Sequence, residues 1–260
     1  MTNLQVLLDL AESAAREAGA LLRERAGEAR TDIQTKSTPT DMVSEVDLES
    51  EALIILRILA VRPDDAILGE EGGERAGSSG VRWIIDPLDG TTNYLYGLQA
   101  YAVSIGCEVD GEVVAGAVFD AAHGQMYCAA RGRGAYRDGA RLRVSEKAEL
   151  ATALLGTGFA YEPAFRMEQV ALLGRIIGSV RDVRRGGSAC LDLCAVAAGQ
   201  LDGYYETVAP WDMAAGALIV REAGGETGFI EAVRGRPAAI LAASRGLYPL
   251  LEELLLGAAR

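Results

Sequence analysis

The strongest constraint on this chain is the segment Val81-Arg-Trp-Ile-Ile-Asp-Pro-Leu-Asp-Gly-Thr-Thr-Asn93. Val81, Trp83, Ile84 and Ile85 are apolar and β-prone, so the segment starts as a buried strand. Pro87 breaks the strand and Asp89-Gly90 turns it. Thr91, Thr92 and Asn93 then suit a turn or a helix start. Asp86 thus falls at the end of a core strand, with Asp89 in the turn beyond it, and ligands of α/β sheets gather at such strand ends. Two carboxylates held ~4 Å apart repel by roughly 4 kcal/mol at an effective dielectric of about 20. Protonation, water or a cation must relieve them, and hard cations such as Mg²⁺ prefer oxygen donors. The amides of Gly90 and Thr91 offer a phosphate cradle at the helix start. Taken alone, the segment reads equally well as a strand-to-loop turn, because Asp-Pro and Asp-Gly are common turn words.

A chain of 260 residues, half of them hydrophobic, can build one large domain or two small ones around a sizeable core. Its net charge of −12 argues against non-specific binding to nucleic acid or to an anionic membrane. Anionic substrates stay open, since bound metals invert the local field. Cys107, Cys128, Cys190 and Cys194 form no CxxC pair and read as free thiols of a cytoplasmic protein. His123 is the only histidine, which removes His-dependent triads and a Cys/His zinc site. No apolar run is long enough for a membrane span, and the N-terminus has no secretory-signal layout.

Leu4, Leu7, Leu8, Ala11, Ala14, Ala15, Ala18 and Leu22 recur at helical spacing and predict a long first helix. Residues 31–41 read as a polar connector. A second helix is expected over 47–60, with Leu48, Ala52, Ile55 and Leu59 on its packed side. A short strand over 66–68 should lead to Glu70 and Glu71, and the Gly- and Ser-rich run 72–80 reads as a mobile loop. Strands over 101–109 and 112–119 flank Asp110-Gly111, a hairpin signal, and shorter strands follow to residue 136. From about residue 145 strands alternate with helices, the latter over 165–177, 188–198 and 211–223. The expectation is an α+β part, 1–144, followed by an α/β part, 145–260.

Further carboxylates sit at similar punctuation points. Asp47 opens the second helix, where its ordinary role is an N-cap. Glu70 follows a buried strand. Asp212 lies in the first turn of an Ala-rich helix, where it offsets the macrodipole. Glu206 ends a strand. Each has a bland reading singly, but if those element ends meet, Asp47, Glu70, Asp86, Asp89 and Asp212 make an all-oxygen nest for two or three Mg²⁺ ions. Such a nest can activate water toward a phosphate ester without a covalent nucleophile.

Asp86-Pro-Leu-Asp-Gly-Thr-Thr-Asn93, Gly69-Glu70-Glu71 and Trp211-Asp-Met-Ala-Ala-Gly216 resemble the signature segments of the inositol monophosphatase family. Lys36-Ser-Thr-Pro-Thr-Asp41 and Gly187-Ser-Ala189 extend the resemblance over almost the whole chain. It implies a layered αβαβα sandwich of the sugar-phosphatase type, a lithium-sensitive Mg²⁺-dependent hydrolase, and a homodimer. It also implies that Glu70, Asp86 and the Leu88 carbonyl hold one metal, while Asp86, Asp89 and Asp212 hold a second. A third, weaker ion would lean on Glu70. Thr91, paired with Asp47, would orient the attacking water, and the amides of Gly90 and Thr91 would contact phosphate. Asp89, Gly187, Ser188, Ala189, Glu206 and Asp212 would surround the alcohol.

The substrate expected first is myo-inositol 1-phosphate, because Glu206 can accept hydrogen bonds from polyol hydroxyls. Histidinol phosphate, fructose 1,6-bisphosphate and adenosine 3′,5′-bisphosphate are alternatives on the same metal core. Arg184 and Arg185 could serve a second phosphate, although surface arginines at a strand end are the simpler reading. A metal-dependent binding or regulatory module is the alternative from outside enzymology.

Overall fold

The computed structural model describes residues 3–26, 34–35, 42–43 and 45–258. Apart from Gln34 and Thr35, the expected connector over 31–41, including the Lys36–Asp41 motif, lies outside the described residues. The described helices are α1 (Leu4–Arg25), α2 (Glu45–Val61), α3 (Thr91–Tyr96), α4 (Pro163–Ile176), α5 (Ala189–Ala197), α6 (Pro210–Glu222) and α7 (Tyr248–Ala258).

These helices and two large sheets stack in five layers. α1 and α2 cover the outer face of an eight-stranded sheet, α5 and α6 fill the space between the sheets, and α4 and α7 cover the far face of a five-stranded sheet. Three apolar clusters occupy the gaps between these layers. The αβαβα sandwich expected from the resemblance is therefore the fold. α1 buries Leu7, Leu8, Ala11, Ala14, Ala15, Ala18 and Leu22, the stripe its periodicity predicts. Asn3 caps it by accepting from the Gln5 amide at 3.0 Å.

The first sheet is mixed. Ala66–Gly69 runs parallel to Val81–Asp89, whereas Ala102–Val109, Glu112–Asp120 and Gln125–Ala130 continue antiparallel. One irregularity matters for function. Asp86 faces Ser104 and Asp89 faces Ala102, so the Val81–Asp89 strand carries one extra residue there. Side chains three apart on a regular strand point to opposite faces. The bulge restores a common face and aims Asp86 and Asp89 together.

α6 lies directly on this sheet. A Cβ at Gly106 would stand 2.9 Å from the Ala214 Cβ, and one at Gly116 would stand 2.9 Å from the Ala215 Cα. Gly106 and Gly116 are cross-strand partners, so the helix rests on bare backbone. The second sheet, running from Leu154 to Ser244, joins parallel strands to an antiparallel edge pair.

Two expectations need correction. α2 does not bury Leu48 and Ala52; it buries Val46, Asp47, Ser50, Glu51, Ile54 and Ile58, while Leu48 is half exposed at 51%. Polar residues needed inside occupy the inward positions, so apolar content misjudged the face. Nor is 72–80 loop throughout: Gly73–Arg75 pairs antiparallel with Ala66–Gly69. Gly73, at φ 73°, makes the turn, and Arg75 donates to the carbonyls of Asp65 and Pro63.

Candidate metal centre

The site forms where both sheets end. Asp86 and Asp89 come from the bulged strand, Asp212 from the first turn of α6 and Glu70 from the turn after Ala66–Gly69. Carboxylate oxygens of Asp86, Asp89 and Asp212 lie within 4.8 Å of one another. Glu70 stands outside that tight trio but lines the same cavity, and its charge acts on Asp86 and Asp212.

Each carboxylate is held by the backbone around it. Asp86 accepts from the Leu88 amide at 3.0 Å. Asp212 accepts from the Ala209 amide at 2.7 Å, closing the first turn of α6. Asp89 accepts from the Ser188 hydroxyl at 2.8 Å and from the Cys190 amide at 2.7 Å, at the N-terminus of α5. Burial still raises all three acids. Asp86 rises well above the ordinary range, with the charges of Glu70, Asp89 and Asp212 adding to burial. Asp212 rises similarly under burial, Asp89 and Glu70, and Asp89 rises less because its hydrogen bonds oppose burial. Carboxylate oxygens this close repel unless a proton or a cation lies between them. A divalent cation would relieve that repulsion. The donor set is entirely oxygen and predominantly anionic, so the residues fit a hard cation.

Asp47 lies behind this wall. α2 begins at Glu45, so Asp47 is in the first turn rather than at the cap, and it is fully buried. Its Oδ1 is 3.1 Å from the Thr91 hydroxyl, which is also 3.1 Å from the Leu88 carbonyl oxygen. Gly90, at φ 94°, turns the chain into α3, and a Cβ there would meet the Ala100 carbonyl at 2.7 Å. Asn93 ties this turn to the opposite wall by donating to the carbonyls of Ala100 and Gly186.

The cavity is about 450 Å³, within the range of small-molecule sites. Glu70, Asp86, Leu88, Asp89, Gly90, Thr91, Gly187, Ala189, Glu206 and Asp212 all line it. Ser188 is buried beneath its wall and acts on Asp89. Opposite the acids, Glu206 accepts from the Tyr204 hydroxyl at 2.7 Å. Burial pushes Glu206 up to about 7, against that hydrogen bond and the Arg185 charge.

A matching family model covers residues 3–255 and describes the inositol monophosphatase family. The chain belongs to the inositol monophosphatase family. It is 49% identical over 237 residues to "Inositol-1-monophosphatase SuhB" of Mycobacterium tuberculosis, covering 84% of this chain and 82% of that one. It is 46% identical over 224 residues to "Nus factor SuhB" of Pasteurella multocida, covering 84% and 83%. The crystal structure of the extragenic suppressor protein SuhB from Bartonella henselae superposes with a TM-score of 0.89 at 36% identity, over 96% of this chain and 98% of that one. Inositol monophosphatase family membership thus agrees with the five-layer fold and with the acidic metal-binding cluster.

Several site residues were misplaced or missed by the sequence reading, which favoured a surface position for Arg185. Arg185 lines the cavity rather than lying off it, as do Phe159, Phe165 and Trp211. Asp192, beneath Gly186, is lifted to about 8 by burial and by the charges of Glu206 and Asp89. Ser50 and Glu51, polar residues on the inward face of α2, reach the backbone of the site. Their signal was a carboxylate and a hydroxyl one helical turn from Asp47.

Proposed function

We propose that the protein is a Mg²⁺-dependent phosphomonoester hydrolase that releases phosphate from myo-inositol 1-phosphate. The observation that carries this reading is the convergence of Asp86, Asp89 and Asp212 beside the Thr91–Asp47 pair. Glu70, Asp86 and the Leu88 carbonyl would hold one ion, Asp86, Asp89 and Asp212 a second, and Glu70 would help to hold a third. When bound, the ions polarise the phosphoryl group, acidify a water and offset charge on the leaving alkoxide.

The chain's own groups do the rest. Asp47 Oδ1 accepts the Thr91 hydroxyl proton, so the lone pairs of Thr91 Oγ1 are left to orient the attacking water. The amides of Gly90 and Thr91 receive phosphate oxygens. Glu206 accepts from hydroxyls of the polyol, with Tyr204 fixing its other oxygen. Asp89, Gly187, Ser188, Ala189 and Asp212 complete the wall around the alcohol. Lithium inhibition, a homodimeric assembly, a cytoplasmic setting and a division of labour between 1–144 and 145–260 belong to the same reading. Among the described residues no helix is long and apolar enough to cross a membrane.

Arg185, Phe159 and Tyr161 on the cavity wall favour a second reading, in which the substrate carries another phosphate or a heteroaromatic ring. Fructose 1,6-bisphosphate, adenosine 3′,5′-bisphosphate and histidinol phosphate are its candidates. The relative described as a Nus factor supports a third reading, a binding or regulatory role. The net charge of −12 speaks against direct nucleic-acid contact in that role.

Phosphate release from these four substrates, with Mg²⁺ and with chelator, tests the proposal. Fastest turnover on inositol 1-phosphate, lost on chelation, is expected. No turnover on any of them with Mg²⁺ would favour the binding role, and activity that survives chelation would end the metal reading.

A further inference from the structure

We propose that α2 is the gauge of the metal centre, with Glu51 and Ser50 as positioning residues that set the backbone carrying the ligands. This rests on the reading above that Glu70 and the Asp86–Asp89 segment hold the cation. The inward face of α2 carries Asp47, Ser50 and Glu51, all buried. Together they reach two segments of the site, Asp47 and Ser50 the Pro87–Thr91 stretch and Glu51 the turn after Glu70. Asp47 meets Thr91 at the start of α3. The Ser50 hydroxyl donates to the Pro87 carbonyl at 2.9 Å, inside the bulge that turns Asp89 toward Asp86. The Glu51 carboxylate accepts from the amides of Glu71 at 2.9 Å and Gly72 at 2.5 Å, the residues directly after Glu70.

The surrounding chain makes room for that carboxylate. A Cβ at Gly69 would stand 2.4 Å from Glu51 Oε2, and one at Gly72 would stand 2.6 Å from Oε1. A carboxylate placed beside Ile54 and Ile58 is costly unless its oxygens are satisfied, and here both oxygens are spent on the Glu70 turn. A single helix thus fixes the spacing of two ligand-bearing segments that are separate in sequence, the Glu70 turn and the Asp86–Thr91 stretch.

A staple with only a structural role would lower stability and leave cation affinity alone. Calorimetric titration of the metal-free full-length protein with Mg²⁺ separates the two, on wild type, Glu51→Gln, Ser50→Ala and Ile58→Val. Glutamine keeps the shape of Glu51, but its amide nitrogen cannot accept a backbone N–H. Glu51→Gln is expected to weaken Mg²⁺ binding about tenfold or more and to speed hydrogen exchange at Glu71 and Gly72. Ile58→Val, on the same buried face, is expected to lower the melting temperature with Mg²⁺ affinity unchanged. Unchanged affinity in a folded Glu51→Gln protein overturns the proposal, as does an equal loss in Ile58→Val. Should Glu51→Gln not fold, Ser50→Ala decides: weaker Mg²⁺ binding supports the gauge and unchanged binding overturns it. Wild-type affinity in Glu70→Gln would instead remove the ligand assignment underneath, and the proposal with it.

Discussion

Thr91 Oγ1 lies 3.1 Å from Asp47 Oδ1 across 44 residues of sequence, and equally close to the Leu88 carbonyl oxygen. A hydroxyl has one proton, so it can donate to only one of these acceptors. Whatever else engages the Leu88 carbonyl leaves Asp47 as the acceptor and fixes the rotation of the Thr91 hydroxyl.

Replacing that hydroxyl tests its role. Thr91→Ala is expected to lower kcat for phosphate release about 10²–10⁴-fold, the usual range for a lost proton-positioning group, with KM little altered. Thr91→Ser should keep most of the activity. Steady-state kinetics on inositol 1-phosphate would contradict this if the alanine variant turned over at the wild-type rate.

Asp89→Asn is expected to abolish Mg²⁺-dependent turnover while leaving the metal-free protein at least as stable as wild type. The side chain keeps its shape, and a buried charge beside Asp86 and Asp212 disappears. Phosphate release and thermal melting in chelator read both effects. Near-normal turnover would count against a carboxylate-held ion at this position.

Glu206→Gln should act mainly on substrate binding. A hydrogen bond to a charged acceptor is worth about 1.5–3 kcal/mol, so KM is expected to rise roughly 10–100-fold, with a smaller change in kcat. An effect confined to kcat would place Glu206 in the chemistry instead.

The metal-free protein should lose stability as pH rises from mildly acid to alkaline. Burial, helped by neighbouring charges, lifts Asp192 to about 8, and burial lifts Glu206 to about 7 against the Tyr204 hydrogen bond. A carboxyl whose folded pKa is raised binds its proton more tightly folded than unfolded, so its contribution is lost progressively from the ordinary carboxylate range up to the folded value. Asp65 and Asp202 run the other way: against their burial, hydrogen bonds from Arg62 to Asp65 and from the Leu154 amide and Lys147 to Asp202 hold them low. They lose stability only as pH falls below the ordinary carboxylate range. Melting temperature in chelator is therefore expected to fall between about pH 5 and pH 8 and to level off above, and Asp192→Asn should flatten that slope. A melting temperature that rises across this interval would refute the assignment.

The carboxylates themselves were legible because each sits beside a residue that breaks an element: Pro87 and Gly90 near Asp86 and Asp89, Gly69 before Glu70, and Pro210 before Asp212. The alternation of strands and helices after residue 145 was legible from periodicity. What the sequence hid was orientation. Apolar content put Leu48 and Ala52 on the packed side of α2, yet both face outward, because the site requires Asp47, Ser50 and Glu51 inside. Arg185 looked like a surface charge because nothing local says that Gly186 and Gly187 fold beside the turn of Asn93. The bulge at Pro87-Leu88 is set by pairing with Ser104 and Ala102, partners beyond the reach of any local pattern.

The seating of α6 on Gly106 and Gly116 makes two positions without side chains the floor beneath a candidate metal ligand. On the sheet side the gap between helix and sheet is bounded by bare main chain, and on the helix side by Ala214 and Ala215, which carry nothing beyond a Cβ. Any side chain added at Gly106 or Gly116 would push α6 outward and carry Asp212 away from Asp86 and Asp89.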